Sequence, residues 1–274
     1  LLPAMKIIFA EPFDPDWAPV AGAEACKGGR CIKLPQVCVC TRRATRSDDT
    51  TIALLIPVAR IIAGMMRFAN MNKPNFFIVG KPKSGTTALH LMLEQHPDIY
   101  MSAVKEPHHF ARDHVEAAER RNRGYRGMPY KDRENYLKLF EGAGTQKVVG
   151  EASTDYLYSR VAAQEIAKFN PDARILMILR EPVDFMYSFH GQLLRSGNEN
   201  EGNFAKALLL EEQRKRGEKI PSATSNPAML LYSEQAQYCA QVERFLSAFD
   251  NSRVKIVIYD DFRDANLAVC REVF

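Results

Sequence analysis

The sequence lacks several features that would direct it to nucleic acid or to a membrane. It has no block of like charge, and 37 basic against 33 acidic residues leave a net charge of only +4, which argues against a nucleic-acid-binding tail. It has no uninterrupted apolar run of about 20 residues, the length that a membrane-spanning helix needs. It also has no Asn-x-Ser/Thr sequon, which leans slightly against a glycosylated lumenal protein. We therefore expect a cytoplasmic protein that associates with neither nucleic acid nor a membrane.

Residues 1–70 are predicted to be an irregular N-terminal extension, outside the folded domain. The cysteines in this part are spaced C-x4-C-x6-C-x-C, without the paired C-x2-C of a zinc site, so no metal is expected. The most apolar stretch, Ile52 to Met66, is 15 residues long and contains Pro57 and Arg60. The alternative to a cytoplasmic protein is a weak N-terminal anchor here, which would place the protein in the Golgi lumen.

From residue 71 to residue 274 apolar runs alternate with segments of helical spacing, so we predict one domain there. Asn75–Gly80 and Arg174–Leu179 have the composition of buried parallel strands, and Thr86–His96 has that of a helix. We expect an α/β fold with three layers, a parallel sheet flanked by helices, of the P-loop-like nucleotide-binding kind. Further predicted elements are strands Ile99–Ser102, Lys147–Gly150 and Val254–Tyr259, and helices Arg133–Phe140, Val161–Phe169, Pro182–Arg195 and Met229–Phe249.

The loop Gly80–Thr87 lies between a predicted strand and a predicted helix, where a doubly wound sheet binds ligands. Its backbone amides from Ser84 onward would point at an anion, and the helix N-terminus adds about half a positive charge. Lys83 supplies a full cation, while the hydroxyls of Thr86 and Thr87 donate further hydrogen bonds. The loop therefore predicts a phosphate-binding site.

This loop departs from that of a nucleoside triphosphatase. The Walker A motif needs a lysine directly after its second glycine, but Thr86 follows Gly85 here and the lysine lies at position 83. A P-loop kinase or nucleoside triphosphatase stays the alternative, because Ile256–Asp261 is an apolar strand ending in acids, like a Walker B motif. The same acids would serve equally well to cap the final helix.

Pro82–Thr87 resembles the 5′-phosphosulfate loop of sulfotransferases that use 3′-phosphoadenosine 5′-phosphosulfate (PAPS), among them the carbohydrate and heparan-type enzymes and their bacterial relatives. Arg180–Ser188 resembles the family's 3′-phosphate segment, R-x-P-x-D-x-x-x-S. Arg180 would leave a strand end as a bidentate phosphate donor, with Ser188 about two helical turns further on. A salt bridge from Arg180 to Glu181 or Asp184 is the alternative.

The resemblance extends from about Asn75 to Phe274 and implies that PAPS donates a sulfuryl group to a hydroxyl or amine without a metal. The implied donor-binding residues are Lys83, Ser84, Gly85, Thr86, Thr87, Arg180 and Ser188. The family pattern normally continues with a basic loop after the last helix, so the resemblance also implies that the domain is incomplete at its C-terminus. A non-catalytic nucleotide-binding relative is then a further alternative.

Lys105–Phe110 resembles the K-E-x-x-F-F segment of the heparan-type enzymes, which implies Glu106 as the catalytic base. His108 and His109 compete for this role, because a neutral imidazole accepts a proton readily near pH 7. Lys83 would neutralise the departing phosphate oxygen. Alternatively, Glu106 only binds Lys105 or a loop amide.

The segment Gly150–Tyr156 resembles the acceptor-side strand end of the family, so Glu151 or Asp155 is expected to touch the acceptor. Tyr232 is expected near the donor. The polar stretch Asn198–Asn226 is predicted to be a mobile surface insertion that helps to select the acceptor, for which a glycan is expected.

Overall fold

The computed structural model describes residues 31–34, 37–40, 73–121 and 129–273. The chain divides into two compact units, Leu1–Met66 and Arg67–Phe274. In the first unit, strands β1 (Cys31–Leu34) and β2 (Val37–Cys40) form an antiparallel pair where the sequence predicts irregular chain. The apolar stretch Ile52 to Met66 lies outside the described residues. Within the described ranges no helix has both the length and the apolar character needed to cross a bilayer.

The second unit is built on a parallel sheet of five strands, which confirms the predicted α/β fold class. The strands are β3 (Phe76–Ile78), β4 (Ile99–Met101), β5 (Val148–Ala152), β6 (Arg174–Leu179) and β7 (Val254–Ile258). Their order in the sheet is β4-β5-β3-β6-β7, and every neighbouring pair is parallel. The first strand of the unit is thus central, with later strands added on both sides, and ligands bind at the carboxyl ends beside such a central strand.

Helices cover both faces of the sheet, as alternation of the buried strand residues requires. In β6, Ile175 and Met177 pack into one apolar cluster, while Leu176 and Ile178 pack into the other. The helices are α1 (Thr86–Leu93), α2 (Arg112–Arg121), α3 (Arg133–Lys138), α4 (Asp155–Tyr158), α5 (Ala162–Phe169), α6 (Pro182–Arg195), α7 (Phe204–Leu209), α8 (Glu211–Lys215), α9 (Tyr232–Gln235), α10 (Tyr238–Ala248), α11 (Tyr259–Asp264) and α12 (Asn266–Glu272). Helices α3, α5 and α10 contribute to the first cluster, and α1, α11 and α12 to the second.

The end of β3 approaches β6 closely at Gly80. A Cβ atom added at Gly80 would lie 2.6 Å from the backbone oxygen of Ile178, which is too close for any side chain. The next residue, Lys81, donates its backbone amide to the same oxygen at 3.1 Å. This contact fixes the point at which the chain leaves the sheet and begins the predicted phosphate loop.

Two expectations for the region after α6 are wrong. The predicted helix Met229–Phe249 is a 3₁₀ turn (Pro227–Leu230) followed by α9 and α10, because the backbone leaves helical geometry at Leu231 (ψ 70°) and at Gln237 (ψ 76°). Apolar periodicity continues across these breaks, so it does not reveal them. The predicted mobile insertion, residues 198–226, contains α7 and α8 and is held by a buried ion pair in which Arg214 Nη2 lies 2.8 Å from Glu199 Oε1.

Candidate functional site

The candidate site is a cavity of about 660 Å³ at the carboxyl ends of the strands. Segments that directly follow all five strands of the parallel sheet contribute to its lining. The predicted site residues that line it are Lys83, Gly85, Thr86, Thr87, Glu106, Arg180 and Ser188. Ser84 and His109 are not among the lining residues. Most of the residues predicted from separate motifs are therefore brought to one cavity.

The phosphate loop has a backbone conformation that exposes the N-terminus of α1. Gly85 is the N-cap, with a φ of +82°, and the helix begins at Thr86. A side chain at Gly85 would be strained by this φ and would also lie 3.2 Å from the rings of Phe262 and Tyr259. Lys83 is left-handed as well, with a φ of +62°. The conformation leaves the first amides of α1 available to an anion.

Arg180 lies at the end of β6, beside the phosphate loop. Its Nη1 donates to the backbone oxygen of Lys83 at 3.1 Å, and its guanidinium lies 5.0 Å from the ring centroid of Tyr259. The carboxylate of Asp184 is 3.8 Å from Nη2 and is itself mostly exposed, so this ion pair adds little. The buried Nε of Arg180 has no hydrogen-bond partner within the described residues. The Nη2 atom, whose contact with Asp184 is weak, therefore keeps donor capacity for a ligand.

Glu106 follows β4 and has a left-handed backbone, with a φ of +61°. Its Oε2 accepts hydrogen bonds from the backbone amide of Thr154 at 2.7 Å and from the Thr154 hydroxyl at 3.2 Å. Its Oε1 pairs with Lys105. The contacts that the sequence allowed as an alternative to a catalytic role are therefore both present, but Glu106 also lines the cavity. Contacts in a ligand-free site do not exclude a general base.

Asp155 joins two histidines at the same cavity. Its Oδ2 lies 3.4 Å from His108 Nδ1 and 3.6 Å from His114 Nδ1. Burial disfavours the charged carboxylate, but the hydrogen bond with His114 and the nearby positive charges outweigh this and lower the pKa of Asp155 well below its ordinary value. Burial likewise opposes the charge on His114, but the hydrogen bond and charge of Asp155 raise the pKa of His114 above 6.5.

His109 lies in the core, away from the cavity. Its Nδ1 is 2.6 Å from the backbone oxygen of Tyr130, and its ring stacks on that of Tyr136 with 4.1 Å between centroids. Burial lowers the pKa of His109, which keeps the imidazole neutral. Because the packing directs this ring into the aromatic cluster, the structure does not support His109 as the competing base, and His108 is the neighbour that lines the cavity.

Glu151 does not reach the acceptor side either, because it is fully buried in β5. Its carboxyl accepts hydrogen bonds of 2.7–2.8 Å from the hydroxyls of Tyr136, Tyr156 and Ser153. Burial raises the pKa of Glu151 to about 7. Ser153 Oγ in turn accepts a hydrogen bond from the backbone amide of His108 at 3.2 Å. Glu151 therefore supports the turn that carries the cavity residues and does not contact the cavity itself.

The structure also answers the expectations for Tyr232 and for the Walker B-like acids. Tyr232 is fully buried and donates to Glu199 Oε2 at 2.8 Å, so it does not line the cavity. Asp260 and Asp261, the acids of the Walker B-like segment, lie in the first turn of α11, where Asp260 pairs with Arg263 at 2.7 Å. Neither acid lines the cavity, whereas the preceding residue, Tyr259, does.

Sequence reasoning missed His114 and Lys81. His114 is carried to the cavity by α2, which the sequence did not predict. Lys81, the second residue of the phosphate loop, is fully buried, and burial lowers its pKa to about 7. The only sequence signal for Lys81 was its position directly after the strand, which equally fits an exposed loop lysine.

A glycine-containing loop after the central strand, an arginine from the next strand and a carboxylate, all at one cavity, are typical of α/β proteins that bind a nucleotide for group transfer. The particular family follows from comparison with known proteins. Residues 74–274 match the sulfotransferase family, and the chain belongs to it.

Individual relatives agree with this assignment. Human carbohydrate sulfotransferase 15 is 27% identical over 230 residues, which cover 69% of this chain and 40% of that protein. The human bifunctional heparan sulfate N-deacetylase/N-sulfotransferase 3 is 29% identical over 205 residues, 73% of this chain and 22% of that protein. A sulfotransferase structure from Alicyclobacillus acidocaldarius is similar with a TM-score of 0.62 and 34% identity, covering 73% of this chain and 79% of that one. The chain thus spans at most 40% of these two curated relatives.

Proposed function

We propose that the chain transfers a sulfuryl group from PAPS to a hydroxyl or amine of a carbohydrate. The observation that carries the proposal is the convergence of the phosphate loop, Arg180 and Glu106 on one cavity. Membership of the sulfotransferase family supports the reaction type. The names of the relatives, a carbohydrate sulfotransferase and a heparan sulfate N-sulfotransferase, support the acceptor class.

The lining of the cavity supports a donor nucleotide that carries two separate phosphate groups. The amides at the start of α1 and the Lys83 side chain suit a 5′-phosphate, while the weakly paired Nη2 of Arg180 and the Ser188 hydroxyl suit a 3′-phosphate. PAPS would supply an activated sulfuryl group and leave as adenosine 3′,5′-bisphosphate. Lys83 is then the cation that stabilises negative charge on the departing phosphate oxygen.

Glu106 is the proposed base that removes the proton from the acceptor. Its Oε2 accepts both hydrogen bonds from Thr154, whereas Oε1 contacts Lys105 and keeps a lone pair that can accept the proton of an acceptor hydroxyl. The hydrogen bonds from Thr154 orient the carboxylate towards the cavity before the reaction, which lowers the entropic cost of alignment.

The lining beyond Glu106 offers the groups that sugar hydroxyls bind. Asp155 accepts hydrogen bonds, His114 donates or accepts, and the side chains of Gln192 and Asn226 do both. A mixture of neutral amides and one carboxylate suits a polyhydroxylated ring better than an apolar acceptor such as a steroid.

A kinase-like alternative is not favoured. It would need a lysine after Gly85 and acids at the metal position, whereas Thr86 follows Gly85 and both Asp260 and Asp261 lie outside the cavity lining. Arg180 and Ser188 would also have no role for a nucleotide without a 3′-phosphate.

Calorimetric titration of the whole chain with three nucleotides tests the proposal. Adenosine 3′,5′-bisphosphate should bind without Mg²⁺ and outcompete AMP, and ATP with Mg²⁺ should bind less tightly than the bisphosphate. Equal affinity for AMP and the bisphosphate, or binding that needs Mg²⁺, would contradict the proposed donor. Release of the bisphosphate from PAPS in the presence of unsulfated polysaccharides then tests the transfer itself.

A further inference from the structure

The second residue of the phosphate loop, Lys81, has a buried amine. Lys81 Nζ donates hydrogen bonds to Gln235 Oε1 at 3.1 Å and to Gln241 Oε1 at 3.0 Å. The rings of Tyr158, Phe185 and Tyr238 surround it, with centroids 5.1–5.8 Å away. Among the described residues no carboxylate lies within ion-pairing distance of it, although the charge of Asp155 acts on it from further away. The amine therefore depends on two neutral amide oxygens for its polar contacts.

Gln235 also makes a hydrogen bond to a backbone segment that lines another part of the cavity. Its Nε2 donates to the backbone oxygen of Ala228 at 3.2 Å. Ala228 belongs to the 3₁₀ turn Pro227–Leu230, and the cavity lining includes Ser225, Asn226 and Met229 from this turn and the residues before it. We refer to these three lining residues as the 225–229 wall. Two consecutive side-chain hydrogen bonds thus join the phosphate loop to this wall.

The arrangement is specific to a lysine and a glutamine. A buried amine costs free energy that an apolar side chain of the same length would not cost, so packing alone does not require Lys81. The glutamine amide accepts from the amine with its oxygen and donates to Ala228 with its nitrogen, which a carboxylate or an apolar side chain could not do. Gln241 accepts from the same amine, but its nitrogen donates to the backbone oxygens of Glu234 and Gln235, which lie outside the cavity lining.

We propose that Lys81 is a positioning residue that sets the 225–229 wall relative to the phosphate loop, through Gln235 and Ala228. Donor binding in the loop would thereby order the wall that meets the acceptor. The role of the wall in acceptor binding rests on the proposed function; the physical connection does not. Lys81 acts behind the cavity and contacts neither substrate.

Hydrogen exchange of the peptide covering residues 226–232, measured on the whole chain, tests the connection. The amide of Leu231 donates to the same Ala228 oxygen that accepts from Gln235. Lys81→Met keeps the length of the side chain but removes both hydrogen bonds, and exchange in this peptide should rise about fivefold, since one hydrogen bond contributes roughly 1 kcal/mol.

Gln235→Glu tests the hydrogen bond to Ala228 separately, and it keeps the proposal testable if Lys81→Met does not fold. A glutamate still accepts from Lys81, but its carboxylate cannot donate to Ala228. Exchange in peptide 226–232 should rise as in Lys81→Met, while the melting temperature stays near that of the wild type. The matched control is Gln241→Met, which removes the other contact of Lys81 and should leave exchange in this peptide near the wild-type value.

A second arm adds adenosine 3′,5′-bisphosphate. The nucleotide should slow exchange in peptide 226–232 of the wild type, and this slowing should be lost in Gln235→Glu although the nucleotide still binds. Wild-type exchange in both Lys81→Met and Gln235→Glu, or a rise in Gln241→Met equal to theirs, would overturn the positioning role. Failure of the wild type to bind the bisphosphate would instead overturn the proposed function, since the comparison without nucleotide still judges the connection.

Discussion

Arg180 and Lys83 are 97 positions apart in the sequence, yet Arg180 Nη1 donates a hydrogen bond of 3.1 Å to the backbone oxygen of Lys83. Because the two residues follow the neighbouring strands β6 and β3, the contact joins the two proposed phosphate sites at the point where their strands end. It uses a backbone oxygen, so it leaves the Lys83 amine free to meet the donor. The guanidinium is thereby oriented before any nucleotide binds.

Arg180→Ala should greatly weaken the preference for a 3′-phosphate, leaving only the contribution of Ser188. A charge-assisted hydrogen bond contributes roughly 1.5–3 kcal/mol, so the affinity for adenosine 3′,5′-bisphosphate should fall about 10- to 100-fold. The affinity for AMP should fall much less, because AMP has no 3′-phosphate. Calorimetry with both nucleotides measures the ratio.

Arg263→Ala is the matched control for Arg180. Its guanidinium lies 6.0 Å from the ring of the same Tyr259, but Arg263 is exposed and is not a lining residue. This variant should bind both nucleotides like the wild type. If Arg180→Ala keeps the wild-type ratio, Arg180 supports the loop and does not bind the 3′-phosphate.

Glu106→Gln should remove turnover but not donor binding. The amide oxygen can still accept from Thr154, but it cannot take a proton, so turnover with a polysaccharide acceptor should fall by about 10²- to 10⁴-fold. The affinity for adenosine 3′,5′-bisphosphate should stay near the wild-type value. Release of the bisphosphate from PAPS, followed over time, gives the rate.

Two histidine variants complete this test. His109→Ala should lower the melting temperature, because it removes a ring stacked on Tyr136 in the core, and the folded fraction should keep its turnover. His108→Ala removes a residue that lines the cavity beside Asp155. A larger loss in His108→Ala than in Glu106→Gln would assign the base to the imidazole.

Much of the fold could be predicted from the sequence, as could the grouping of the candidate donor residues at one cavity, because both depend on local patterns. The strands around Phe77 and Met177 are short apolar runs, and each predicted donor motif begins where one of these runs ends. In a parallel sheet the carboxyl ends of the strands meet at one edge. Glu106 and Arg180 could therefore be expected at one cavity without knowledge of their contacts.

The parts that were missed depend on contacts between distant residues. Lys81 is 154 positions from Gln235, so nothing near Lys81 indicates that its amine is buried. From the sequence, the adjacent residues His108 and His109 are equally good candidates to line the cavity. Only the stacking of His109 on Tyr136 in the core distinguishes them. The break at Leu231 is equally invisible, since apolar spacing continues through it.

Lys83 can be tested for catalysis and for backbone strain with one pair of variants. Both Lys83→Ala and Lys83→Gly remove the amine, so turnover should fall by about 10²-fold or more in each. The left-handed backbone, with a φ of +62°, costs a non-glycine residue roughly 1 kcal/mol. The glycine variant should therefore unfold at higher urea concentration than the alanine variant. Unchanged turnover in both would show that the loop amides suffice.

Glu151→Gln should change how stability depends on pH on the acidic side. Burial raises the pKa of Glu151 from 4.5 to about 7, so the folded chain holds a proton that the unfolded chain has lost. The free energy of unfolding contributed by this group is full below pH 4.5 and falls as the pH rises towards 7. The glutamine side chain does not titrate, so the free energy of unfolding of the variant should rise relative to that of the wild type over this pH range. Urea unfolding from pH 4.5 to 7.5 measures the difference, and a constant difference would contradict the raised pKa.

Lys81→Met should change the pH dependence of the free energy of unfolding on the alkaline side, with the sign opposite to that of Glu151→Gln. Burial lowers the pKa of Lys81 from 10.5 to about 7. The negative charge of Asp155 raises this pKa in part, and the positive charge of Arg244 lowers it further. Above pH 7 the folded chain therefore has a neutral amine, while the unfolded chain keeps its proton until about pH 10.5. Because the unfolded state binds more protons there, the wild-type free energy of unfolding should rise with pH from 7 to 10 relative to the variant. Urea unfolding of both chains at matched pH isolates this group, since all other titrations are shared. Parallel curves would mean that Lys81 keeps its charge when folded, held by the two glutamines and three aromatic rings around it.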